Sequence, residues 1–207
     1  IAGIFGATGQ SCVAGSRVYL QEGIADEFLN LIVSRANSIK IGDPLLDETQ
    51  MGPLAHDRRV EAIEGFVSDA VSKGAKIRTG GNRIGNEGYF FEPTVLTDVP
   101  LDARMMNEEP FGPVAPMTPF SDFDSAVEEA NRLDYGLASY AYTSSAETAE
   151  KLGSQIESGM VSINHHGIAL IETPFGGVKD SGYGSEGGQE GIEGYMNTKF
   201  ITHKTVL

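Results

Sequence analysis

The sequence predicts an α/β domain in which a largely parallel sheet is flanked by helices. Two observations support this fold class. Short segments rich in β-branched and apolar residues alternate along the chain with longer segments whose apolar residues recur every three or four positions. Clusters of glycine and proline separate these segments. Because parallel strands need a crossover between them, and such crossovers are right-handed, we expect the helices to cover the sheet.

The amino-terminal half contains two predicted strands and two predicted helices. Residues 13–21 predict a buried strand, and residues 75–81 predict a short strand that leads into a glycine turn. A helix over residues 26–39 has one apolar face, formed by Phe28, Leu31, Ile32, Ala36 and Ile39. A second helix over residues 55–73 ends at Gly74, and its inward face comprises Val60, Ile63, Val67, Ala70 and Val71.

The carboxy-terminal half continues this alternation. Pro93 interrupts an apolar stretch, which predicts two short strands or one strand with an extended arm. Ser144 and Glu147 have the spacing of a capping box that opens a helix through Glu157. The remaining predicted elements are a helix at about 124–134, strands at 139–143 and 160–164, and a β-prone stretch at 200–207.

Composition narrows the classes of partner. The chain has 207 residues, of which 29 are acidic and 15 basic, so its formal net charge is −14. This acidity gives no general attraction to nucleic-acid phosphates or to anionic lipid. The sequence also has no apolar run of about 18 residues, the length that a membrane-spanning helix needs. We therefore expect neither a nucleic acid nor a membrane as partner.

Cysteine usage and the amino terminus bear on the compartment. Cys12 is the only cysteine and has no partner for an intramolecular disulfide, which favours a reducing, cytoplasmic location. The first residues lack the basic region of a signal peptide. Because the chain opens at Ile1 inside an apolar segment, and not at a methionine, we expect it to be a piece of a longer protein.

Several familiar motifs are present only in part or not at all. Gly182, Gly184 and Gly187 have the spacing of the dinucleotide fingerprint, but they follow a polar turn instead of a strand, so a glycine-rich loop is the better interpretation. Metal-binding C-x-x-C and H-E-x-x-H patterns do not occur, and the adjacent His165 and His166 would point in opposite directions, so we predict no metal site. The G-x-S-x-G pattern that marks one class of serine hydrolases does not occur either.

Cys12 is the strongest candidate for chemistry. A lone cysteine is usually a small buried hydrophobe, but the preceding residues GATGQS form a small-residue turn that can present a thiol in a cleft. The backbone N–H in such a turn can also stabilise an oxyanion. From spacing alone, attack on a carbonyl carbon could serve a hydrolase, a transferase or an oxidoreductase. A cysteine acyltransferase or hydrolase would need a histidine base beside Cys12, and a non-catalytic oligomerisation module is a further alternative.

Three motifs together resemble the aldehyde dehydrogenase superfamily. They are GQSC at 9–12, EEPFGPV at 108–114 and PFGGVKDSG at 174–182, and GYFFEPT at 88–94 and NTKF at 197–200 agree with them. The resemblance covers the whole chain. It implies a catalytic domain over residues 1–196 and a carboxy-terminal oligomerisation strand over 197–207. It also implies a homodimer or homotetramer.

The resemblance implies a role for each matching residue. Cys12 would be the nucleophile that converts an aldehyde into a thiohemiacetal and then a thioester, which water hydrolyses to the carboxylic acid. Glu109 would accept hydrogen bonds from the nicotinamide ribose of NAD or NADP, and Phe111 would pack beside that ribose and ring. The residues that would contact substrate are Ser11, Val13, Ile168, Ala169 and Phe175. Lys179 and Ser181 would hold their loop in place.

Other parts of the family's machinery would lie before Ile1. These are the nucleotide-binding domain, the general-base glutamate and the oxyanion asparagine, so we expect this chain alone to be inactive. The late motifs are most similar to succinate-semialdehyde dehydrogenases, which hold the substrate's far carboxylate with an arginine six residues before the nucleophile. Gly6 occupies that position here, and the loop GIALI at 167–171 lacks the expected serine. Losing that bidentate contact makes an apolar or aromatic aldehyde as plausible a substrate as succinic semialdehyde.

Overall fold

The computed structural model describes residues 1–205. The chain forms two compact units, which comprise Ile1–Ala130 and Asn131–Leu207. The predicted catalytic domain over 1–196 spans both units, and its extent stays a prediction. No helix within the described residues is both long and apolar enough to cross a bilayer.

The first unit is built on a four-stranded sheet. Its strands are β1 (Val18–Gln21), β2 (Lys76–Thr79), β3 (Thr94–Thr97) and β4 (Val114–Phe120). Their order across the sheet is β1-β4-β3-β2. Strand β4 pairs in parallel with β1 and β3, whereas β2 is an antiparallel edge strand. The sheet is therefore mixed, and the predicted α/β class is confirmed with one antiparallel edge.

Helices cover both faces of this sheet. The helices of the unit are α1 (Ala2–Phe5), α2 (Glu22–Asn37), α3 (Asp57–Ser72) and α4 (Phe123–Asn131), which ends at the unit boundary. Side chains on β3 alternate between the faces, so that Val95 packs in the cluster around α2 and Leu96 in the cluster around α3. The two helices thus bury opposite faces of one sheet, as the alternating sequence pattern predicted.

The predicted face of α2 was partly wrong. The buried residues are Leu29, Ile32 and Ala36, whereas Phe28 is 36% and Leu31 58% exposed. The helix begins at Glu22, four residues before the predicted start. Apolar residues occur on more than one side of this helix, and packing against the sheet selects the face with the spacing of Leu29, Ile32 and Ala36.

Helix α3 agrees better with its prediction. Val60, Ile63, Val67 and Ala70 are buried, together with Phe66, while Val71 is 43% exposed. Gly74 has φ +108° directly after the helix, which confirms the predicted left-handed stop. Around Pro93 the structure has strand β3 and an isolated bridge between Arg83 and Phe91, which matches the predicted strand with an extended arm.

The second unit contains two small strand pairs. Its elements are β5 (Tyr135–Gly136), β6 (Ala138–Ala141), α5 (Ala146–Gln155), β7 (Met160–Ile163) and β8 (Val178–Lys179). Strands β6 and β7 are parallel, and β5 and β8 are antiparallel. The strands predicted at 139–143 and 160–164 and the helix between them are therefore confirmed, with shifts of at most two residues at their ends.

The predicted capping box of α5 was wrong by one residue. Ser145 is the N-cap, and its Oγ accepts the N–H of Thr148 at 3.2 Å. The hydroxyl of Thr143 accepts the N–H of Ser145, which places that serine at the start of the helix. Glu147 instead forms an ion pair with Lys151 one turn later.

The segment predicted to be an oligomerisation strand lies at the end of the chain. Its described part, residues 197–205, forms no strand within this chain, and Phe200 is 88% exposed. Residues 206 and 207 lie outside the described residues. A role of this segment in assembly stays a prediction.

Candidate active site

Cys12 lies on an exposed turn of the first unit. The turn is formed by Ser11, whose carbonyl accepts the N–H of Ala14 at 3.0 Å and whose hydroxyl accepts the N–H of Val13 at 3.4 Å. The strand predicted to begin at Val13 therefore begins only at Val18, because residues 11–14 are part of the turn. The thiol is thus presented on a loop before the sheet and is not buried in the core.

The residues just before Cys12 are anchored to the segment that leads into α3. Buried Thr8 donates its hydroxyl hydrogen to the carbonyl of Gly52 at 3.0 Å. The side-chain oxygen of Gln10 accepts the N–H of Ala55 at 2.9 Å. Thr8 has φ +58°, a left-handed conformation that is unfavourable for a non-glycine residue and is maintained here by these long-range contacts.

A close backbone approach joins the nucleophile turn to the loop over residues 108–114. Gly9 has φ +67°, and a Cβ at this position would overlap with the carbonyl of Gly112. A Cβ on Gly112 would in turn overlap with the side chain of Ile63 on α3. Helix α3, the loop and the turn are therefore in direct contact, and the turn requires glycine at position 9, where φ is positive and the Gly112 carbonyl leaves no room for a side chain.

Glu109 and Phe111 lie on this loop on either side of Pro110, which is fully buried, as is Pro113. The Glu109 carboxylate is exposed at the surface of the unit, and Phe111 is half-buried. Partial burial raises the pKa of Glu109, and the positive charge of Arg59 acts in the opposite direction. Glu109 lines one small cleft together with Ser11, so the loop and the nucleophile turn adjoin each other within this unit.

Glu108 has a different environment from its neighbour. Arg104 donates to both of its carboxylate oxygens, at 3.1 and 2.9 Å, and this hydrogen bonding holds the pKa of Glu108 below its usual range. The guanidinium of Arg104 also stacks on Phe66 of α3, 4.6 Å from the ring centroid. These contacts indicate a structural role for Glu108, because its carboxylate is already engaged within the protein.

Sequence reasoning missed Arg59. This residue lies in the first turn of α3, and its guanidinium donates to the carbonyls of Pro110 and Phe111. In the sequence it forms part of an Asp-Arg-Arg run, which is typical of a solvated helix start. No motif or spacing could have found this contact, since its partners are backbone atoms 51 and 52 positions away.

The remaining predicted substrate residues lie in the second unit. Ala169 is exposed and Phe175 half-buried, whereas Ile168 is only 9% exposed. Phe175 and Glu186 exchange two backbone hydrogen bonds, at 2.6 and 2.7 Å. Hydrogen bonds therefore fix the backbone at Phe175, and its side chain keeps partial access to solvent.

The two adjacent histidines have local roles in that unit. The Nδ1 of His165 accepts the N–H of Gly167 at 3.0 Å. The ring of His166 packs against Tyr140, with 4.8 Å between the ring centroids. Within residues 1–205, no group of three or more histidine, cysteine, aspartate or glutamate side chains is arranged to hold a metal ion.

Lys179 and Ser181 hold the glycine-rich loop in place, as predicted. Lys179 donates to the carbonyls of Asn131 and Leu133 and forms an ion pair with Glu157 at 2.6 Å. The hydroxyl of Ser181 accepts the N–H of Gly136 at 2.9 Å. The dinucleotide-like glycines follow in a loop and not between a strand and an α-helix, as the sequence context indicated.

Residues 1–201 match the model of the family described as the aldehyde dehydrogenase family. The chain belongs to this family. It is 43% identical over 197 residues to a protein of Sinorhizobium fredii named "Probable succinate-semialdehyde dehydrogenase", covering 95% of this chain and 40% of that one. It is 42% identical to the 4-(hydroxymethyl)benzenesulfonate dehydrogenase of Comamonas testosteroni, with coverage of 95% and 41%. The chain thus spans about 40% of the length of these curated relatives.

Solved aldehyde dehydrogenases have the same fold. An NADP-dependent enzyme of E. coli superimposes with a TM-score of 0.92 at 39% identity, covering 94% of this chain and 40% of that one. The NAD+ complex of an aldehyde dehydrogenase from Bacillus cereus gives a TM-score of 0.91 at 36% identity, with the same coverage. The similarity to this family that the sequence motifs indicated is therefore confirmed both by sequence and by structure.

Proposed function

We propose that this chain carries the nucleophile and part of the cofactor site of an NAD(P)+-dependent aldehyde dehydrogenase. The observation that supports this most directly is the pairing of two elements in one unit. The turn with exposed Cys12 packs through Gly9 and Gly112 against the loop with Glu109. Ser11 and Glu109 line the same cleft, so an aldehyde held by Cys12 would lie beside the loop assigned to the cofactor.

The proposed chemistry begins at the sulfur of Cys12. The thiolate attacks the aldehyde carbon and forms a thiohemiacetal, whose alkoxide the Cys12 N–H and an amide side chain stabilise. When the alkoxide collapses, the carbon loses a hydride, so the substrate is oxidised by two electrons and becomes a thioester on Cys12. Water then adds to the thioester, the thiolate leaves, and the carboxylic acid is released.

The cofactor supplies the hydride acceptor when it is bound. Two side chains on the loop suit its nicotinamide ribose. An exposed carboxylate such as Glu109 accepts hydrogen bonds from a sugar diol, and the half-exposed ring of Phe111 offers an apolar surface two residues away. The relatives support both cofactors, since one solved neighbour is NADP-dependent and another contains NAD+.

The substrate class follows from the residues near the nucleophile. We assign substrate contacts to Ser11 and Val13, and to Ile168, Ala169 and Phe175 by their match to the family. Gly6 provides no charge for a distal carboxylate, so apolar or aromatic aldehydes stand beside succinic semialdehyde as candidates. The names of the relatives include a succinate-semialdehyde and a benzenesulfonate dehydrogenase, which supports both classes.

Turnover requires more than the described machinery. We propose that the general base and the oxyanion amide come from residues outside this chain, and that the 207 residues alone are inactive. We also propose that the segment at 197–207 pairs with a second subunit in a cytoplasmic homodimer or homotetramer. A monomeric mass for the longer protein in light scattering would contradict the assembly.

Iodoacetamide labelling and Cys12→Ala test this function together. Cys12 is the only cysteine among these 207 residues, so labelling of this chain reports on this thiol alone, and in the longer protein the labelled Cys12 peptide is identified by mass. In the longer protein, we expect both treatments to abolish aldehyde-dependent formation of reduced nicotinamide, with a loss of at least about a thousandfold. Acid quenching during turnover should trap an acyl adduct on Cys12 in the mass spectrum. Full activity of the Cys12→Ala variant would overturn the proposal, and activity of the isolated chain would overturn its predicted inactivity.

A further inference from the structure

The loop over residues 108–114 is supported from one side by the first turn of α3. We propose that Arg59 is a positioning residue for this loop: it fixes the backbone of Phe111 and thereby directs Phe111 and Glu109 toward the cofactor. The inference rests on the proposed function, because that function assigns these two side chains to the cofactor.

The geometry at Phe111 shows how one side chain can set the backbone. The φ and ψ angles of Phe111 are the two rotations between the peptide plane before it and the peptide plane after it. The carbonyl of Pro110 belongs to the first plane, and the carbonyl of Phe111 belongs to the second. One nitrogen of Arg59, Nη2, donates to both of these carbonyls, the second at 3.3 Å. Fixing both planes fixes the conformation of the residue between them.

Phe111 needs such support because its conformation is unfavourable. Its φ angle is +50°, in the left-handed region that non-glycine residues rarely adopt. Strained backbone of this kind persists where surrounding contacts hold it, and it is concentrated at functional sites. The guanidinium of Arg59 supplies two of these contacts from an α-helix whose apolar face lies in the core, so the support is rigid.

The hydrogen bonds to the carbonyls of Pro110 and Phe111 determine where the guanidinium of Arg59 lies. Its Nε is buried without a hydrogen-bond partner in the described structure, so the group is not placed to satisfy all of its donors. Its charge also lowers the pKa of Glu109 against the effect of partial burial. The same side chain therefore holds the loop and favours the ionised carboxylate, which is the better acceptor for ribose hydroxyls.

The loop has a second, independent attachment. Arg104 holds Glu108, and buried prolines at positions 110 and 113 fix the path of the chain. Loss of Arg59 should therefore release the torsions of Phe111 without detaching the loop. We expect an effect on cofactor affinity that is separate from stability and from the reactivity of Cys12.

Three variants test the inference: Arg59→Met removes the donors, Arg59→Lys keeps the charge without the planar fork, and Arg58→Met is the matched control at the neighbouring exposed arginine. The first readout is the Cα and Cβ chemical shifts of Phe111 in the 207-residue chain. We expect them to leave their left-handed values in Arg59→Met and to stay unchanged in Arg58→Met. Unchanged shifts in a folded Arg59→Met variant would overturn the inference, and if that variant does not fold, Arg59→Gln replaces it, because it also lacks the Nη2 donor.

The second readout uses the longer protein. We expect Arg59→Met to raise KM for NAD(P)+ about tenfold, with kcat and the rate of Cys12 alkylation within about twofold of the wild type. Arg59→Lys should recover part of this loss, because it restores the charge near Glu109. An equal rise in Arg58→Met would overturn the inference. If the wild-type protein binds no nicotinamide cofactor, the proposed function fails, while the chemical shifts still decide whether Arg59 fixes the loop.

Discussion

Two loops of this protein are held in place in different ways. The loop at 108–114 is fixed by two side chains of α3 that are far away in the sequence: Arg59 donates to its backbone, and Ile63 packs against Gly112. The nearby Arg104 also holds it, through Glu108. In the segment at 164–175, His165 is hydrogen-bonded to Gly167 and Thr173 to Leu170, which are near neighbours. Its hydrogen bonds to more distant residues are made at Asn164, Ile171 and Phe175, and their partners Thr143, Gly188 and Glu186 do not lie in helices.

This difference matches the roles proposed for the two loops. A loop that contacts a cofactor common to a whole family benefits from support by the core, because its geometry need not change between relatives. A segment that contacts the variable part of an aldehyde can change by local substitution, since few distant residues depend on it. Ile171 is 89% exposed within its own unit, so the segment adds little to the core there.

The largest expected effect is at the contact between the nucleophile turn and the first loop. Gly9→Ala would place a methyl group against the Gly112 carbonyl at a left-handed position, and we expect it to destabilise the fold by about 3 kcal/mol or more. Gly6→Ala is the control, because its Cβ would meet no atom within 4 Å. Urea unfolding of both variants measures the difference, and equal midpoints would show that the two elements are not packed as described.

In the second unit, Lys179 holds the glycine-rich loop, and removing its side chain should lower the stability by a smaller amount. Lys179→Met deletes two hydrogen bonds and an ion pair, so we expect a loss of about 1–2 kcal/mol. Lys151→Met is the control in the same unit, where a solvent-exposed pair with Glu147 adds little to stability. Thermal and urea unfolding measure the stability of both variants. If both variants are equally stable, the glycine-rich loop is not held by Lys179.

Gly6→Arg tests whether only the segment at 164–175 determines the substrate preference. The position has open space for a side chain, and an arginine there would offer a bidentate partner to a distal carboxylate. We expect kcat/KM for succinic semialdehyde to rise about tenfold relative to benzaldehyde in the longer protein. Gly6→Gln controls for size. An unchanged ratio would place the choice of substrate outside the nucleophile turn.

The smallest effect separates two neighbouring carboxylates of the fixed loop. Burial raises the pKa of Glu109, so its ionised form is disfavoured in the fold, and Glu109→Gln should stabilise the protein at neutral pH by a few tenths of a kcal/mol after solvent screening. This gain disappears as the pH falls from the raised pKa of Glu109 to the ordinary range of a glutamate.

Glu108 should behave in the opposite way. Its pKa is lowered by Arg104, so the stability it contributes is present above the ordinary pKa of a glutamate and is lost as the pH falls through the lowered value. Glu108→Gln should therefore destabilise the protein at neutral pH and have no effect in acid. Unfolding of both variants across this pH range provides the comparison. The same sign for both would show that the two carboxylates share one environment.

The elements that sequence reasoning placed best are those with a strong local pattern. Helix α3 shows this, because its apolar spacing and Gly74 define the buried face and the end. The phase of α2 was missed because apolar residues occur on more than one side of it, and only packing selects among them. The cap of α5 was missed by one residue because a hydrogen bond from Ser145 to Thr143 decides between two adjacent serines.

In the candidate site too, residues in local motifs were predicted and residues defined by distant contacts were missed. Cys12, Glu109 and Phe111 were predicted because each lies inside a short motif that carries the resemblance to the aldehyde dehydrogenase family. Arg59 was not found because its partners are carbonyl groups, which every residue carries and which leave no trace in the sequence.

By itself, the sequence determined the fold class and the family, and it predicted the residues that would react or contact ligand. Periodicity and short motifs are local, so they survive without coordinates. Only the tertiary structure decided that Gly9 and Gly112 meet, and that Arg59 lies on the backbone around Phe111. The physical reason is that such contacts depend on how α3 packs beside the loop. That packing follows from the burial of the whole apolar face of α3 and not from any one residue.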